Sequence, residues 1–270
     1  MQKSLFENEN IIEPLKPAFC IGAVSRSTFY QGDCLVEMSK IADKSVEMIL
    51  CDLPYGTTDC KWDSIIPFEP LWEHYERIIK DNGAIVLFGS EPFSSLLRCS
   101  NLKRFKYDWI WKKNKAGNFQ TVKYQPLKYH EIISVFSFGT HKYYPILEKA
   151  SDASIQRYKY KFNSNEVKLK HMASGEYKHK FENGIDMKNP SSIITLPNER
   201  STLHPTQKPL ALMEYLIATY TNEGETVLDN CMGSGTTGVA CKKTGRHFIG
   251  IEKDENYYNV AVRRVSEYCG

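Results

Sequence analysis

Four consecutive residues, Asp52-Leu53-Pro54-Tyr55, carry groups that can orient a flat amino group for chemistry. The amino group of adenine is a weak nucleophile because its lone pair is delocalised into the ring. The carboxylate of Asp52 and the backbone carbonyl of Leu53 can each accept one of its N–H groups, which would direct the lone pair toward an electrophile. Pro54 stiffens the loop, and Tyr55 offers a ring for stacking on a base. An ordinary turn with Tyr55 packed on the surface also explains these four residues.

A second segment, 229–238, reads Asp-Asn-Cys-Met-Gly-Ser-Gly-Thr-Thr-Gly and places a glycine-rich turn between a predicted strand and a predicted helix. Glycines let a backbone approach a ligand closely, and the first turn of a helix has unpaired N–H groups. About twenty residues after the turn, a predicted strand ends on Glu252, whose carboxylate can accept hydrogen bonds from ribose hydroxyls. This spacing indicates a nucleoside-cofactor site. A dinucleotide site, or a turn without a ligand, fits the segment taken alone.

The elements that must position these residues alternate between short apolar runs and amphipathic stretches, which predicts an α/β sheet with crossover helices. The run 46–51 predicts a buried strand ending directly before Asp52, at the end of a strand where ligands bind in open α/β sheets. Further strands are predicted at 84–88, 107–111, 131–138, 226–229 and 247–251, and helices at 68–80, 209–220, 235–243 and 256–268. Between about 140 and 200 the periodicity fades, which predicts an insertion of loops and small elements.

Charge is distributed unevenly along the chain. The net charge of the 270 residues is +3, yet the segment 101–200 contains 19 Lys and Arg against 9 Asp and Glu, so that segment carries +10 and the remainder −7. A basic segment within an acidic protein is expected where a polyanion binds, because lysines that neutralise phosphates release counterions. A solvated lysine-rich loop accounts for the same charge.

Composition argues against several classes of site and location. The eight cysteines form no CxxC pair and have no nearby histidine pair at metal-ligand spacing, so we expect reduced thiols and no metal site. The sequence has no signal-like start and no stretch approaching the ~20 apolar residues of a membrane span. We therefore expect a cytoplasmic protein without a membrane partner.

Taken together, the motifs resemble the amino-type DNA methyltransferases, and in particular the group called the beta class. In that family a catalytic tetrapeptide comes first, a target-recognition region second and the cofactor turn last, which is the order of the motifs in this chain. Other similar segments are Gln31-Gly-Asp-Cys-Leu35, Trp111-Lys-Lys-Asn114, His130-Glu131 and His204-Pro-Thr-Gln-Lys-Pro209. The resemblance runs from about Thr28 to Tyr258 and weakens between about 140 and 195.

Two positions depart from the family pattern. Leu53 stands where the family has proline, but the predicted contact there is a backbone carbonyl that leucine also supplies. Cys231 stands where the family usually has phenylalanine, which predicts an altered cofactor affinity rather than a loss of binding. Members that act on cytosine N4 generally have serine at the position of Asp52, so the resemblance implies N6 of adenine as the methylated atom.

The resemblance implies a Rossmann-like fold of the S-adenosylmethionine-dependent methyltransferases, a mostly parallel sheet flanked by helices, circularly permuted and with an inserted target-recognition region. The corresponding organisation is an N-terminal extension at 1–27, a catalytic half at 28–139, the insertion at 140–200 and a cofactor-binding half at 201–270. The implied reaction is direct methyl transfer from S-adenosylmethionine to a flipped-out adenine, without a covalent enzyme intermediate.

The resemblance also assigns contacts to the cofactor. Glu252 would bind the ribose, while Asp33 and Cys34 would approach the adenine ring of the cofactor. The full predicted set is Asp33, Cys34, Asp52, Thr206, Lys208, Asp229, Cys231, Gly233, Ser234, Gly235, Thr236 and Glu252.

Double-stranded DNA is the predicted macromolecular partner. Lysines that alternate with aromatic residues suit a surface that follows a phosphate backbone and stacks on bases. The predicted DNA contacts are Lys112, Lys113, Lys115, Lys123, Tyr124 and Lys128. The resemblance also allows a homodimer and a separately encoded restriction endonuclease as partners.

Several other classes remain open at this point. A nicotinamide-dependent oxidoreductase would explain the glycine turn and Glu252, but not the Asp52–Tyr55 tetrapeptide or the basic segment. A non-catalytic DNA-binding relative, an N4-cytosine enzyme, and a methyltransferase for RNA or for protein glutamine would each retain a similar cofactor turn. Cytosine C5 methylation is disfavoured, because that chemistry uses a cysteine after proline and the sequence has no Pro-Cys pair.

Overall fold

The structure of the chain is a computed structural model that describes residues 25–56, 64–156, 187–199 and 207–268. It divides into two compact units. The larger comprises Met1–Tyr144 with Ser192–Gly270, and the smaller comprises Pro145–Ser191.

An eight-stranded sheet forms the centre of the larger unit. Its strands are β1 (Ser27–Gln31), β2 (Val46–Cys51), β3 (Ile79–Gly89), β4 (Phe105–Lys112), β5 (His130–Phe136), β8 (Ile193–Thr195), β9 (Thr226–Asp229) and β10 (His247–Glu252). They lie in the order β1-β10-β9-β2-β3-β5-β4-β8. The first five strands of that order are mutually parallel, β5 is antiparallel to β3 and β4, and β8 is parallel to β4. The prediction of a mostly parallel α/β sheet is therefore confirmed.

Helices accompany this sheet in chain order: α1 (Cys34–Glu37), α2 (Phe68–Ile78), α3 (Phe93–Ser100), α4 (Leu210–Tyr220), α5 (Thr236–Lys243) and α6 (Glu255–Glu267). Helix α4 is apolar nearly all round and most of its residues are buried, as expected for a helix enclosed by other elements. In contrast, α2 buries one stripe, at Leu71, Trp72, Tyr75 and Ile78, against the core beside β2. No helix in the described parts of the chain is long and apolar enough to span a membrane.

The boundary between α2 and β3 differs from the sequence-based expectation. The predicted helix at 68–80 ends at Ile78, and Gly83 lies within β3 instead of separating a helix from a strand. A Cβ at Gly83 would come within 2.8 Å of the Glu47 carbonyl oxygen. The pairing of β2 with β3 is irregular at this point, between Val46 and Met48. Glycine therefore permits a close backbone approach here, as is common at sheet irregularities.

The smaller unit contains a short antiparallel pairing of β6 (Glu148–Lys149) with β7 (Met187–Lys188). Lys188 forms an ion pair with Glu148 at 3.0 Å. Small elements were predicted for this part of the chain. However, β8, which lies within the predicted insertion at 140–200, belongs to the main sheet, and the indole of Trp111 donates a hydrogen bond to the Leu196 carbonyl at 2.9 Å.

Candidate active site

Four acidic residues meet at one edge of the sheet, because β1, β10, β9 and β2 are neighbours, run parallel and end on the same side. Asp229 and Glu252 are the last residues of β9 and β10, Asp52 follows β2 directly, and Asp33 follows β1. Carboxyl ends of parallel strands are the usual ligand site of such sheets. The tertiary structure thus brings together all four acids that the sequence indicated.

The loop after β2 holds Asp52 and Tyr55 in contact with each other. The Tyr55 hydroxyl donates to Asp52 Oδ1 at 2.6 Å, and burial together with the negative charge of Asp52 raises the pKa of this phenol. One face of the Tyr55 ring stacks on Phe93 of α3, with 5.0 Å between ring centroids. The side chain of Leu53 is buried in the core. This packing fixes the backbone that presents the Leu53 carbonyl.

Lys208 lies against the same loop. Its side chain is only 6% exposed, and Nζ forms an ion pair with Asp52 Oδ2 and lies 3.5 Å from Glu131 Oε2. Burial by itself would lower the pKa of Lys208, but Asp52 and then Glu131 raise it, so the side chain remains an ammonium ion. The structure therefore places a residue predicted to contact the cofactor directly on the Asp52 carboxylate.

Glu131, the second residue of β5, is a site residue that the sequence did not single out. Its Oε1 forms an ion pair with Lys113 Nζ. Burial would raise the pKa of Glu131, but Lys208 and Lys113 together lower it below its ordinary value, which keeps it a carboxylate. The His130-Glu131 pair was noted only as similar to the family. The sequence feature that could have identified Glu131 is an acidic residue at the start of an otherwise apolar strand.

Asp229 organises the glycine turn from within. It is 4% exposed, and its carboxylate accepts hydrogen bonds from the Cys231 backbone N–H at 3.1 Å and from the Thr237 hydroxyl. Burial raises its pKa to about 6 despite these two donors. Gly233 and Gly235 adopt left-handed conformations, with φ of 51° and 78°, which complete the turn before α5.

Glu252 connects the glycine turn to the next strand end. Its Oε2 accepts the Gly233 N–H and its Oε1 accepts the Asp254 N–H, both at 2.9 Å, and its backbone carbonyl accepts the Gly32 N–H. Burial raises the pKa of Glu252. The backbone N–H donors lower it by a smaller amount, so the pKa remains above its ordinary value. Asp33 caps α1 by accepting the Leu35 N–H and also pairs with Lys253 at 3.1 Å.

Ser234 and Thr236, both predicted cofactor contacts, are buried against α6. Arg264 donates to Ser234 Oγ at 3.2 Å and to Thr236 Oγ1 at 3.0 Å. These two hydroxyls therefore have protein partners that hold the turn against the helix. Thr206, the remaining predicted cofactor contact from the preceding segment, lies outside the described residues.

Three thiols lie together beneath the strand ends. The Cys231 side chain interacts with those of Cys34 and Cys51, and all three pKa values are raised. The hydrogen bond with Cys231 and then burial raise the pKa of Cys34, and burial raises that of Cys51 to about 12. For Cys231 the hydrogen bond with Cys34 lowers the pKa, but the hydrogen bond with Cys51 and burial together raise it. The cysteines in the described parts of the chain are free thiols. Such groups are poor nucleophiles, since the thiolate is the reactive form.

The predicted DNA contacts fall into three groups by exposure. Lys115, Lys123 and Tyr124 are exposed, Tyr124 to 87%. Lys112 and Lys128 are partly buried, and Lys128 donates to the Ser90 hydroxyl. Lys113 differs from the expectation, because its side chain is 13% exposed and paired with Glu131, which leaves it little surface for a phosphate.

Comparison with known proteins gives a family match. The model of the family described as DNA methylase matches residues 46–263. The chain is 29% identical over 263 residues to the DNA adenine methyltransferase YhdJ of Escherichia coli (strain K12), covering 88% of this chain and 82% of that protein. It is 27% identical over 266 residues to the Type II methyltransferase M1.MboII of Moraxella bovis, covering 86% and 94%.

Solved structures are similar in fold. The M1.HpyAVI–SAM complex superposes with a TM-score of 0.58 at 25% identity, covering 88% of this chain and 99% of the other. The cytosine-N4-specific PvuII DNA methyltransferase superposes with a TM-score of 0.60 at 15% identity, covering 90% and 87%. The second similarity shows the fold alone.

Proposed function

Because the chain belongs to the DNA methylase family, we propose that it transfers a methyl group from S-adenosylmethionine to N6 of adenine in double-stranded DNA. The observation that carries this proposal is the Asp52–Tyr55 loop at the end of β2, beside the glycine turn that follows β9. The name of YhdJ, a DNA adenine methyltransferase, supports the choice of base. The order of the motifs along the chain supports a permuted arrangement of the fold.

The residues at the strand ends fit S-adenosylmethionine, which supplies an electrophilic methyl group on a sulfonium when bound. An edge with four carboxyl groups suits a cationic ligand. Each oxygen of Glu252 accepts one backbone N–H, and a carboxylate oxygen has a second lone pair, so ribose hydroxyls can still donate to it. We propose that Asp33, Glu252 and the backbone of the glycine turn hold the cofactor. The hydrogen bonds inside the turn keep that backbone in place.

The protein's contribution to the reaction is orientation of the target base. Asp52 and the Leu53 carbonyl would each accept one N–H of the adenine amino group, directing its lone pair. Since one face of the Tyr55 ring packs on Phe93, a flipped base would stack on the opposite face. Flipping costs a few kcal/mol, which stacking and backbone contacts must offset.

DNA would approach along the exposed lysine and aromatic side chains. Lys115, Lys123 and Tyr124 are exposed in the connection between β4 and β5, which suits contact with phosphates and bases. We propose that sequence recognition lies between about 112 and 200 and includes the compact unit Pro145–Ser191. We retain the proposed division of the chain into a catalytic half at 28–139, a target-recognition insertion at 140–200 and a cofactor-binding half at 201–270.

N4 of cytosine is the second candidate for the methylated atom. The fold is shared with the cytosine-N4-specific PvuII enzyme, but that similarity carries no information on the base. Asp52, at a position where N4-cytosine members generally have serine, favours adenine.

A place beside a restriction endonuclease is supported by the name of M1.MboII, a Type II methyltransferase. We propose such a partner, encoded separately, and a cytoplasmic location where the DNA is found. A homodimer remains a prediction, which light scattering of the purified protein would test.

The proposed reaction is tested by incubating the protein with tritiated S-adenosylmethionine and mixed genomic DNA, then identifying the labelled nucleoside. We expect labelled N6-methyladenine, and a loss of at least about 100-fold in the Asp52→Ala variant, since misorienting a reacting group costs about that much. Asp43→Ala is the matched control, because Asp43 is an exposed carboxylate that pairs only with Arg77 among the described residues. Labelled N4-methylcytosine would overturn the base assignment, and unlabelled DNA would overturn the proposed reaction.

A further inference from the structure

Four charged side chains of alternating sign form a row through the candidate site, in the order Lys113, Glu131, Lys208 and Asp52. Lys113 pairs with Glu131, Lys208 pairs with Asp52, and Lys208 Nζ lies 3.5 Å from Glu131 Oε2. All four side chains are mostly shielded from solvent. This charge row links the proposed base-orienting group to a carboxylate on another strand.

The two oxygens of Glu131 differ in their partners. Oε1 accepts from Lys113, whereas Oε2 is buried and accepts no hydrogen bond within the described residues. This oxygen forms a long ion pair with Lys208 at 3.5 Å, and because a buried carboxylate oxygen without a hydrogen bond is costly, it can accept a full hydrogen bond if the ammonium moves closer. Lys113 holds Glu131 in the orientation that keeps Oε2 facing Lys208.

Asp52 differs from Glu131, because each of its two oxygens already accepts a hydrogen bond. Oδ1 accepts from Tyr55, and Oδ2 accepts from Lys208. The proposed function requires this same carboxylate to accept an N–H of the base. Each oxygen keeps a second lone pair, but the charge-assisted bond from the ammonium is about twice as strong as a neutral one and takes up much of the negative charge of Asp52, so Lys208 weakens the hydrogen bond that the base can make. Lys208 is too buried to move its charge into water at low cost.

We propose that Glu131 is a positioning residue that receives the Lys208 ammonium when the amino group of the target base binds Asp52. This inference rests on the proposed function. A lysine has a flexible four-carbon stem, and closing 3.5 Å to a hydrogen bond of about 2.8 Å needs a shift of less than about 1 Å. No covalent bond is made or broken and no proton is transferred. The ammonium only exchanges one carboxylate partner for the other.

The test uses two substitutions of Glu131 in the full-length protein. Glu131→Gln keeps the size of the side chain and removes its charge, while Glu131→Asp keeps the charge and shortens the side chain. The matched control is Glu47→Gln, because Glu47 is also a buried carboxylate on the sheet, paired with Lys80 near the start of β2, away from the site. Single-turnover methylation of genomic DNA is measured at saturating tritiated S-adenosylmethionine, below the melting transition of every variant. Cofactor affinity is measured separately by calorimetry.

We expect Glu131→Gln to lower the single-turnover rate by about tenfold or more, which corresponds to losing about 1.4 kcal/mol of transition-state stabilisation. Glu131→Asp should retain more activity than Glu131→Gln, because the charge and not the volume receives Lys208. Glu47→Gln should stay close to the native rate, and cofactor affinity should change little in all three variants.

A near-native rate for Glu131→Gln would overturn the inference while leaving the proposed function intact. So would a lower rate for Glu131→Asp than for Glu131→Gln, which would indicate a packing role, or a cofactor affinity that falls as much as the rate. Unmethylated DNA with the native protein would overturn the proposed function and this inference with it.

Discussion

The carboxyl group of Asp229 lies almost wholly within the protein, where water cannot stabilise its charge. Two hydrogen bonds, from the Cys231 N–H and the Thr237 hydroxyl, compensate for only part of that loss, and burial raises its pKa from 3.8 to about 6. Ionising this group therefore costs more free energy in the folded protein than in the unfolded chain. The carboxyl group that holds the glycine turn in place therefore also makes the free energy of unfolding depend on pH.

A pH dependence of stability follows from this residue. Between about pH 4 and pH 6 the native state binds the Asp229 proton more tightly than the unfolded state does, so this group's contribution to stability falls as pH rises. The full cost above pH 6 is on the order of 3 kcal/mol. We expect Asp229→Asn, which cannot ionise, to gain stability relative to the native protein as pH rises through this range. Denaturant unfolding at several pH values measures the difference, and parallel curves for the two proteins would contradict the raised pKa.

Two glycines, one at the start of α5 and one before β9, differ in why their positions require glycine. Gly235 caps α5 with φ of 78°, and a Cβ there would approach the Ala261 Cβ of α6 to 3.0 Å. Gly224, in the turn before β9, has φ of 76° but nothing within 4 Å of such a Cβ. The two glycines share a conformation and differ in whether another element packs against them.

Alanine at each position separates these two effects. A left-handed conformation costs an alanine about 1–2 kcal/mol, so Gly224→Ala should lose about that much stability. Gly235→Ala should lose about 1–3 kcal/mol more, because the added methyl group overpacks the contact with α6. Midpoints of urea unfolding, at unchanged slope, give both values. Equal losses would show that α6 adjusts to the methyl group without cost.

At the scale of the whole molecule, charge is separated between a basic segment and an acidic remainder. The +10 of residues 101–200 is not uniformly available, because Lys113 is committed to Glu131 and Lys128 to Ser90. Lys115 and Lys123 are exposed. These two are the lysines from the predicted set best placed to neutralise phosphates.

DNA affinity should therefore depend on salt through these exposed lysines. Removing one lysine–phosphate interaction reduces the slope of log affinity against log salt by about 1, so the double variant Lys115→Ala with Lys123→Ala should lower the slope by about 2. Lys40→Ala is the control, since Lys40 is exposed and pairs with Glu37 outside the basic segment. Fluorescence anisotropy with duplex DNA at several salt concentrations gives the slopes. An unchanged slope in the double variant would move the DNA surface elsewhere.

Local pattern in the sequence was sufficient for most of the elements and for the family. The alternation of apolar runs predicted β2, β9, β10 and the helices that follow them, because strand and helix periodicity depend on near neighbours in the chain. The resemblance to amino-type DNA methyltransferases, drawn from short motifs, is confirmed by the family match over 46–263. In contrast, β1, α1, α3 and β8 were missed. β8 has only three residues and α1 only four, and the eight residues of α3, which bury Phe93 and Leu97, span barely two turns. β1 has five residues and lacks a regular alternation of buried and exposed side chains.

The sequence by itself determined which chemical groups lie at the strand ends. The Asp52–Tyr55 loop and the glycine turn are contiguous segments, and Glu252 ends a predicted strand, so the positions of all three depend mainly on neighbouring residues in the chain. Only the tertiary structure decided which of these groups pair with one another. Lys208 and Asp52 are 156 positions apart, and their contact, like that of Glu131 with both lysines, depends on the order of strands in the sheet. Burial gives these contacts their strength, because charges removed from water must find partners inside the protein.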